Sequence, residues 1–123
     1  MLYRYEFESG CEYPHTGIIL GLDDIFDKFN NNLLNTIVFF ENNLKAPIIY
    51  TDINERVTFY FTEKGNEKFN NCIKTIKEEA LKLGINIIRL ELDKDIVNKI
   101  YYEDEYQVVV NDKYINNSKV FRI

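Results

Sequence analysis

The run EKGNEKFNNCIKTIKEEALKLG, from Glu63 to Gly84, limits the possible folds more than any other part of the chain. Phe69, Cys72, Ile73, Ile76, Ala80 and Leu83 recur at steps of three and four, which lines them up on one stripe of an α-helix. Lys74, Lys77, Glu78 and Lys82 fall on the other side, toward water, and Gly84 stands where a left-handed residue would end the helix. A helix with one apolar stripe has to bury it against another element. Several segments on either side of it alternate with a period of two, so the partner is a β-sheet.

MLYRYEFES sets Leu2, Arg4 and Glu6 against Tyr3, Tyr5 and Phe7, a strand with one aromatic face. GCEYPHTG, bounded by glycines and holding Pro14, is a loop that delivers His15 and Thr16 to the apolar run IIL. The spacing of Leu22, Ile25, Phe26, Phe29 and Leu33 predicts a helix from Leu22, with Asp23 and Asp24 at its positive N-terminal end. NTIVFFENN fits a buried strand or a continued helix equally well. APIIYT and RVTFYFT read as strands joined by a DINE turn. In the second of these, Phe59 and Phe61 share the core face, which leaves Tyr60 at a site or a wet surface. INIIRLEL is a mostly buried strand, and DKDIVNKI a short helix or turn capped by Asp93 or Asp95. KIYYEDEYQVVVNDKYI is a β-type run ended by a turn at Asn111 and Asp112, and SKVFRI closes the chain as a strand.

The length of 123 residues suits one domain, 1–123, able to bury a core without staples. The expected architecture is α+β, with two main helices packed on a largely antiparallel β-sheet that is open to a split arrangement. With 46% hydrophobic and 15% aromatic residues the chain is too apolar for disorder, and its scattered charges exclude a membrane protein. A net charge of −5 without a basic patch disfavours direct nucleic-acid binding and favours a basic protein partner or a small molecule. Cys11 and Cys72 lie in unlike segments and no secretory leader precedes them, so a reduced, cytoplasmic setting is expected. The bias toward Asn, Ile, Lys, Tyr and Phe is that of AT-rich coding sequences, as in low-GC bacteria and their phages.

Candidate chemistry is sparse. His15 is the only histidine, and neither a CxxC nor an HExxH spacing occurs, so no metal site is expected. Cys72 sits on the apolar helix face as an inert core thiol. No phosphate-cradling glycine run is present. Glu103, Glu105 and Gln107 alternate toward one face of the late β-type run. That pattern fits either a carboxylate pair at a site or the polar face of a half-exposed strand.

Arg4 or His15 early, FYFTEKGNEKF in the middle and EDEYQVVVNDKYINNSKVFRI late together resemble a minimal ADP-ribosyltransferase-like domain. That superfamily places an Arg or His on an early strand, a Tyr, Ser or Thr on a middle strand leading into a helix, and a Glu, often in E-x-E, on a late strand. The resemblance implies NAD as cofactor and a protein or other target as acceptor. Cleaving the glycosidic bond of NAD develops an oxocarbenium-like ribose, which a carboxylate on the ribose hydroxyl stabilises. Glu105 would take that role and Glu103 would position the acceptor. Tyr60, or alternatively Phe61, would stack on the nicotinamide. Arg4 or His15 would hold a ribose, Thr62 would belong to the same cofactor-binding group, and Arg56 would meet the pyrophosphate. This chain is short for the class and carries no Ser-Thr-Ser run.

A second expectation belongs to another class: a non-catalytic acidic protein, such as a phage or mobile-element inhibitor of a bacterial defence complex, or an immunity protein. Glu91, Asp93, Asp95, Glu103, Asp104 and Glu105 would then meet a basic protein groove, with Tyr101, Tyr102 and Tyr106 as anchors. A third is a sponge that retains a nucleotide pocket without turnover.

Overall fold

The computed structural model of the chain describes residues 1–26, 31–47, 49 and 55–123. Among the described residues six strands form one antiparallel sheet: β1 (Leu2–Phe7), β2 (Val57–Phe61), β3 (Ile87–Leu92), β4 (Ile100–Glu103), β5 (Gln107–Asn111) and β6 (Lys119–Arg122), in the order β4-β5-β2-β1-β3-β6. The helices are α1 (Ile18–Ile25), α2 (Asn31–Asn43), α3 (Glu63–Lys68) and α4 (Asn70–Lys82). Short 3₁₀ turns follow β3, at Lys94–Ile96, and β5, at Asp112–Asn117. The chain is thus α+β with an antiparallel sheet, and its described residues carry four α-helices where the pattern suggested two main ones.

Both faces of the inner strands are covered. Tyr5, Phe7 and Phe61 project into a core shared with Phe26, Leu33, Phe40, Phe69 and Ile76 of the helical segments. On the opposite face Leu2, Tyr60, Leu90, Leu92, Val108 and Val110 pack with Tyr114 of the second 3₁₀ turn. This second core is why Tyr60 is fully buried and not at a wet surface. Hydrophobic residues on both sides of β2 and β5 are the mark of a central strand pair.

The long amphipathic run Glu63–Gly84 divides at Phe69, whose φ of −96° and ψ of 9° separate α3 from α4. Phe69 has no exposed surface and stacks on Phe40, ring centres 5.1 Å apart, with Phe61 at 5.4 Å. Burying such a ring contributes about 2 kcal/mol, comparable to what a break in the hydrogen-bond ladder costs. Gly84, at φ 74°, ends α4 as expected, and Ile85 N–H donates to Ala80 O.

The first helix begins at Ile18, four residues before the predicted start, with Gly17 as its N-cap. Asp23 and Asp24 therefore lie in its last turn and not its first, where Asp24 accepts from Glu12 N–H at 3.2 Å. NTIVFFENN, ambiguous by pattern, is helical and belongs to α2. Phe29 and most of the APIIYT and DINE segments, including the expected hairpin turn, lie outside the described residues. The KIYYEDEYQVVVN run is not one strand but the hairpin β4–β5.

The sheet is least tightly joined in its middle. β1 and β3 pair over six registers and β2 and β5 over five, but β1 and β2 share only Tyr3↔Phe61. Beyond that point Gly17 bridges to Glu6. Two half-sheets, β4-β5-β2 and β1-β3-β6, meet at this seam.

Candidate functional site

Opening from the seam is a cleft of about 880 Å³, walled by Leu20 of α1, Phe40 at the end of α2, the segment Leu44–Pro47, and Phe59, Gln107 and Val109 of the sheet. A smaller chamber of about 300 Å³ shares Leu20, Val57, Thr58 and Phe59 with it and is closed by Arg4, His15, Thr16 and Gly17. Clefts of this size, mostly apolar with a few fixed polar groups, are the usual form of a ligand site.

Arg4 defines the polar end. Alternation sends it to the same side as Leu2 and Glu6, and the missing β1–β2 pairing gives its guanidinium room in the seam. Nε donates to Glu6 Oε2 at 2.8 Å, Nη1 to Phe59 O at 3.1 Å and Nη2 to His15 O at 2.7 Å. Both Arg4 and Glu6 are buried. His15 Nδ1 lies 3.1 Å from Glu6 Oε1, a contact that puts the imidazole proton on Nδ1. The His15 backbone has φ 57°, the left-handed region that a non-glycine residue occupies only under local constraint.

Gln107 supplies the polar point on the sheet wall. Its Nε2 donates to Lys45 O at 2.6 Å and to Asp104 Oδ2 at 3.3 Å, which fixes the amide orientation and leaves Oε1 as the acceptor. Thr58, on β2, lines both chambers.

The acidic stretch Glu103–Glu105 is a hairpin end. Asp104 Oδ1 accepts from the backbone N–H groups of Tyr106 and Gln107 at 2.8 and 3.0 Å, and Oδ2 from Tyr102 Oη at 2.8 Å. Burial raises the Asp104 pKa, but these hydrogen bonds outweigh it and hold the carboxyl below its usual value. Glu103 ends β4 and pairs with Lys94, while Glu105 lies in the turn and pairs with Lys64. The two glutamates therefore do not share one strand face, and neither lines the cleft. The hydrogen bond from Lys64 is the main cause of a lowered Glu105 pKa.

The remaining residues of the proposed constellation are dispersed. Tyr60 is enclosed on the face opposite the helices, its hydroxyl 2.9 Å from Ser118 Oγ, and burial raises its pKa. Thr62 is the N-cap of α3, accepting from Gly65 N–H at 3.0 Å and donating to Glu105 O at 2.7 Å. Arg56 is exposed, and its carbonyl accepts from Asp112 N–H at 2.9 Å. Arg4 and His15 are brought together; Tyr60, Thr62, Glu103 and Glu105 do not join them at the cleft. Gln107, which the pattern had grouped with the two glutamates, does line the cleft, and Gly17, which the pattern did not single out, lines the smaller chamber, while Glu6 holds Arg4 and His15 from behind.

The acidic stretch is also internally compensated. Besides the two glutamate–lysine pairs, Glu91 lies 3.6 Å from Arg89 and Asp93 caps the first 3₁₀ turn. Tyr101 donates to Glu55, and Tyr106 packs edge-on against Phe69 with Lys68 over its face. Among the described residues no group of three His, Cys, Asp or Glu could hold a metal, and no helix is long and apolar enough to cross a membrane.

The fold and cleft define an α+β domain with a ligand-sized opening between strands β2 and β5 and the segments of α1 and α2 that face them. No family model, curated protein or solved structure matches the chain.

Proposed function

We propose that this chain works by binding and not by turnover, and that its site is the seam cleft, which holds a small, largely apolar ligand. This is closest to the sponge among the three expectations. The observation that carries it is the separation of the cleft from both glutamates: its β5 wall presents Gln107 and Val109, while Glu103 and Glu105 are paired with lysines at the hairpin end. A glycosyl transfer needs a carboxylate against the reacting ribose. The enclosed ring of Tyr60 offers no face for stacking nicotinamide.

The NAD-linked transfer reading is tested in the same experiment. The protein is incubated with NAD and free nicotinamide is followed by chromatography. Binding of the environment-sensitive dye 1-anilinonaphthalene-8-sulfonate is measured in parallel on the folded protein. The binding reading expects dye fluorescence that falls in Leu20→Glu, an exposed position at the mouth of both chambers, and no nicotinamide. Nicotinamide release abolished by Glu105→Gln would restore the transferase reading.

A further inference from the structure

We propose that the chamber beside Arg4 is a carboxylate subsite, and that the ligand of the cleft is a carboxylic acid with an apolar chain or ring. The inference rests on the binding reading above and names the chemical class of its ligand.

Arginine has five N–H donors. Three are taken, by Glu6, Phe59 O and His15 O, and the other two, one on each terminal nitrogen, have no partner among the described residues. The side chain is 6% exposed and forms part of the chamber wall, so the chamber is the side from which a ligand reaches those donors. Two donors on the two ends of a planar fork match the two oxygens of a carboxylate.

The surroundings select the charge. Glu6 already neutralises Arg4, and the whole chain carries −5, so a dianionic phosphate would meet more repulsion than a monoanion. The start of α1 forms the facing wall. Its cap, Gly17, has no side-chain acceptor for the first-turn N–H groups, which leaves the positive end of the helix open toward the chamber. A hypothetical Cβ on Gly17 would stand 3.1 Å from Arg4 Nη1 and 3.3 Å from Nη2, so glycine keeps the guanidinium accessible. From the chamber the shared wall of Leu20, Val57 and Phe59 leads into the larger apolar cleft, where the rest of the ligand lies.

The test is a calorimetric titration of the full chain with decanoate, decanamide and decanol, on wild type, Gly17→Ala and Arg4→Lys. The Gly17 backbone, at φ −64° and ψ 158°, accepts alanine, so that variant covers the donors without unfolding the protein; circular dichroism checks this. Wild type should bind decanoate about tenfold or more tightly than decanol or decanamide, the range of a charge-assisted hydrogen bond. Gly17→Ala and Arg4→Lys should erase that preference, bringing decanoate affinity down to that of decanol measured on the same variant. Equal affinities for the three ligands in wild type, or a preference that survives Gly17→Ala, would overturn the subsite and leave the cleft reading intact. Binding by none of them would overturn both.

Discussion

Arg4 reaches across the seam of the sheet and donates to the backbone carbonyl of Phe59 at 3.1 Å, on the part of β2 where pairing with β1 has stopped. A side chain thus replaces a missing strand-to-strand hydrogen bond, and the same guanidinium is balanced by buried Glu6. Arg4→Leu should therefore cost about 3–5 kcal/mol, because it leaves a buried carboxylate uncompensated. The double variant Arg4→Leu/Glu6→Leu should be more stable than Arg4→Leu alone. Urea denaturation of the three proteins measures this, and additive losses would contradict the pairing.

Gly65 fixes the hairpin end against α3. A Cβ there would stand 2.0 Å from Tyr106 O, a backbone atom, so either the turn or the helix must move. Gly65→Ala should destabilise by about 2–3 kcal/mol despite its better helix propensity. Thr62→Ala, which removes the cap on the same turn, should cost about 1 kcal/mol, and Thr62→Ser much less. Thermal melts of the three variants rank these effects.

Asp104 ties the hairpin end together, and its carboxyl is held below the usual aspartate value. With the folded pKa below the unfolded one, its contribution to stability is present above the unfolded pKa, near 4, and is lost as pH falls through the folded pKa. Asp104→Asn should lower stability at pH 7 by about 1–2 kcal/mol and flatten the acid limb of the stability curve below pH about 4. Denaturation midpoints between about pH 2 and about pH 7, well below and well above that value, give both readings. An unchanged acid limb in Asp104→Asn would show that other carboxylates set it.

Cys72 is buried on the inner face of α4, and burial raises its thiol pKa; at Cys11 burial and then the Asp24 and Glu6 carboxylates do the same. Both thiols should react with a disulfide reagent at pH 8 about tenfold or more slowly than after unfolding in urea, Cys72 the slower. Rapid labelling of native Cys72 would contradict the packing of α4 on the sheet.

The α+β class, the strand β1, the stripe of Phe69, Cys72, Ile73, Ile76 and Ala80, and the stop at Gly84 were legible because each depends on local period or local backbone freedom. The start of α1 was misplaced because Asp23 and Asp24 resemble N-terminal residues, although Ile18 and Leu22 are already a turn apart. The hairpin in EDEYQ was hidden by the alternation of Glu103, Glu105 and Gln107; Asp104, a turn-forming type, was the available signal. The burial of Arg4, Glu6 and Tyr60 was not legible at all. Polar residues at period two normally mark a wet face, and only the long-range packing of Tyr114 and its neighbours shows that this face is covered.

The most direct test of the account is a titration of isotope-labelled protein with decanoate, followed amide by amide in two-dimensional nitrogen–proton NMR spectra. Ligand in the cleft shifts Gly17, Leu20, Thr58, Phe59, Gln107 and Val109, the residues around the two chambers. Shifts confined to Glu103–Tyr106, or none at saturating ligand, would contradict it.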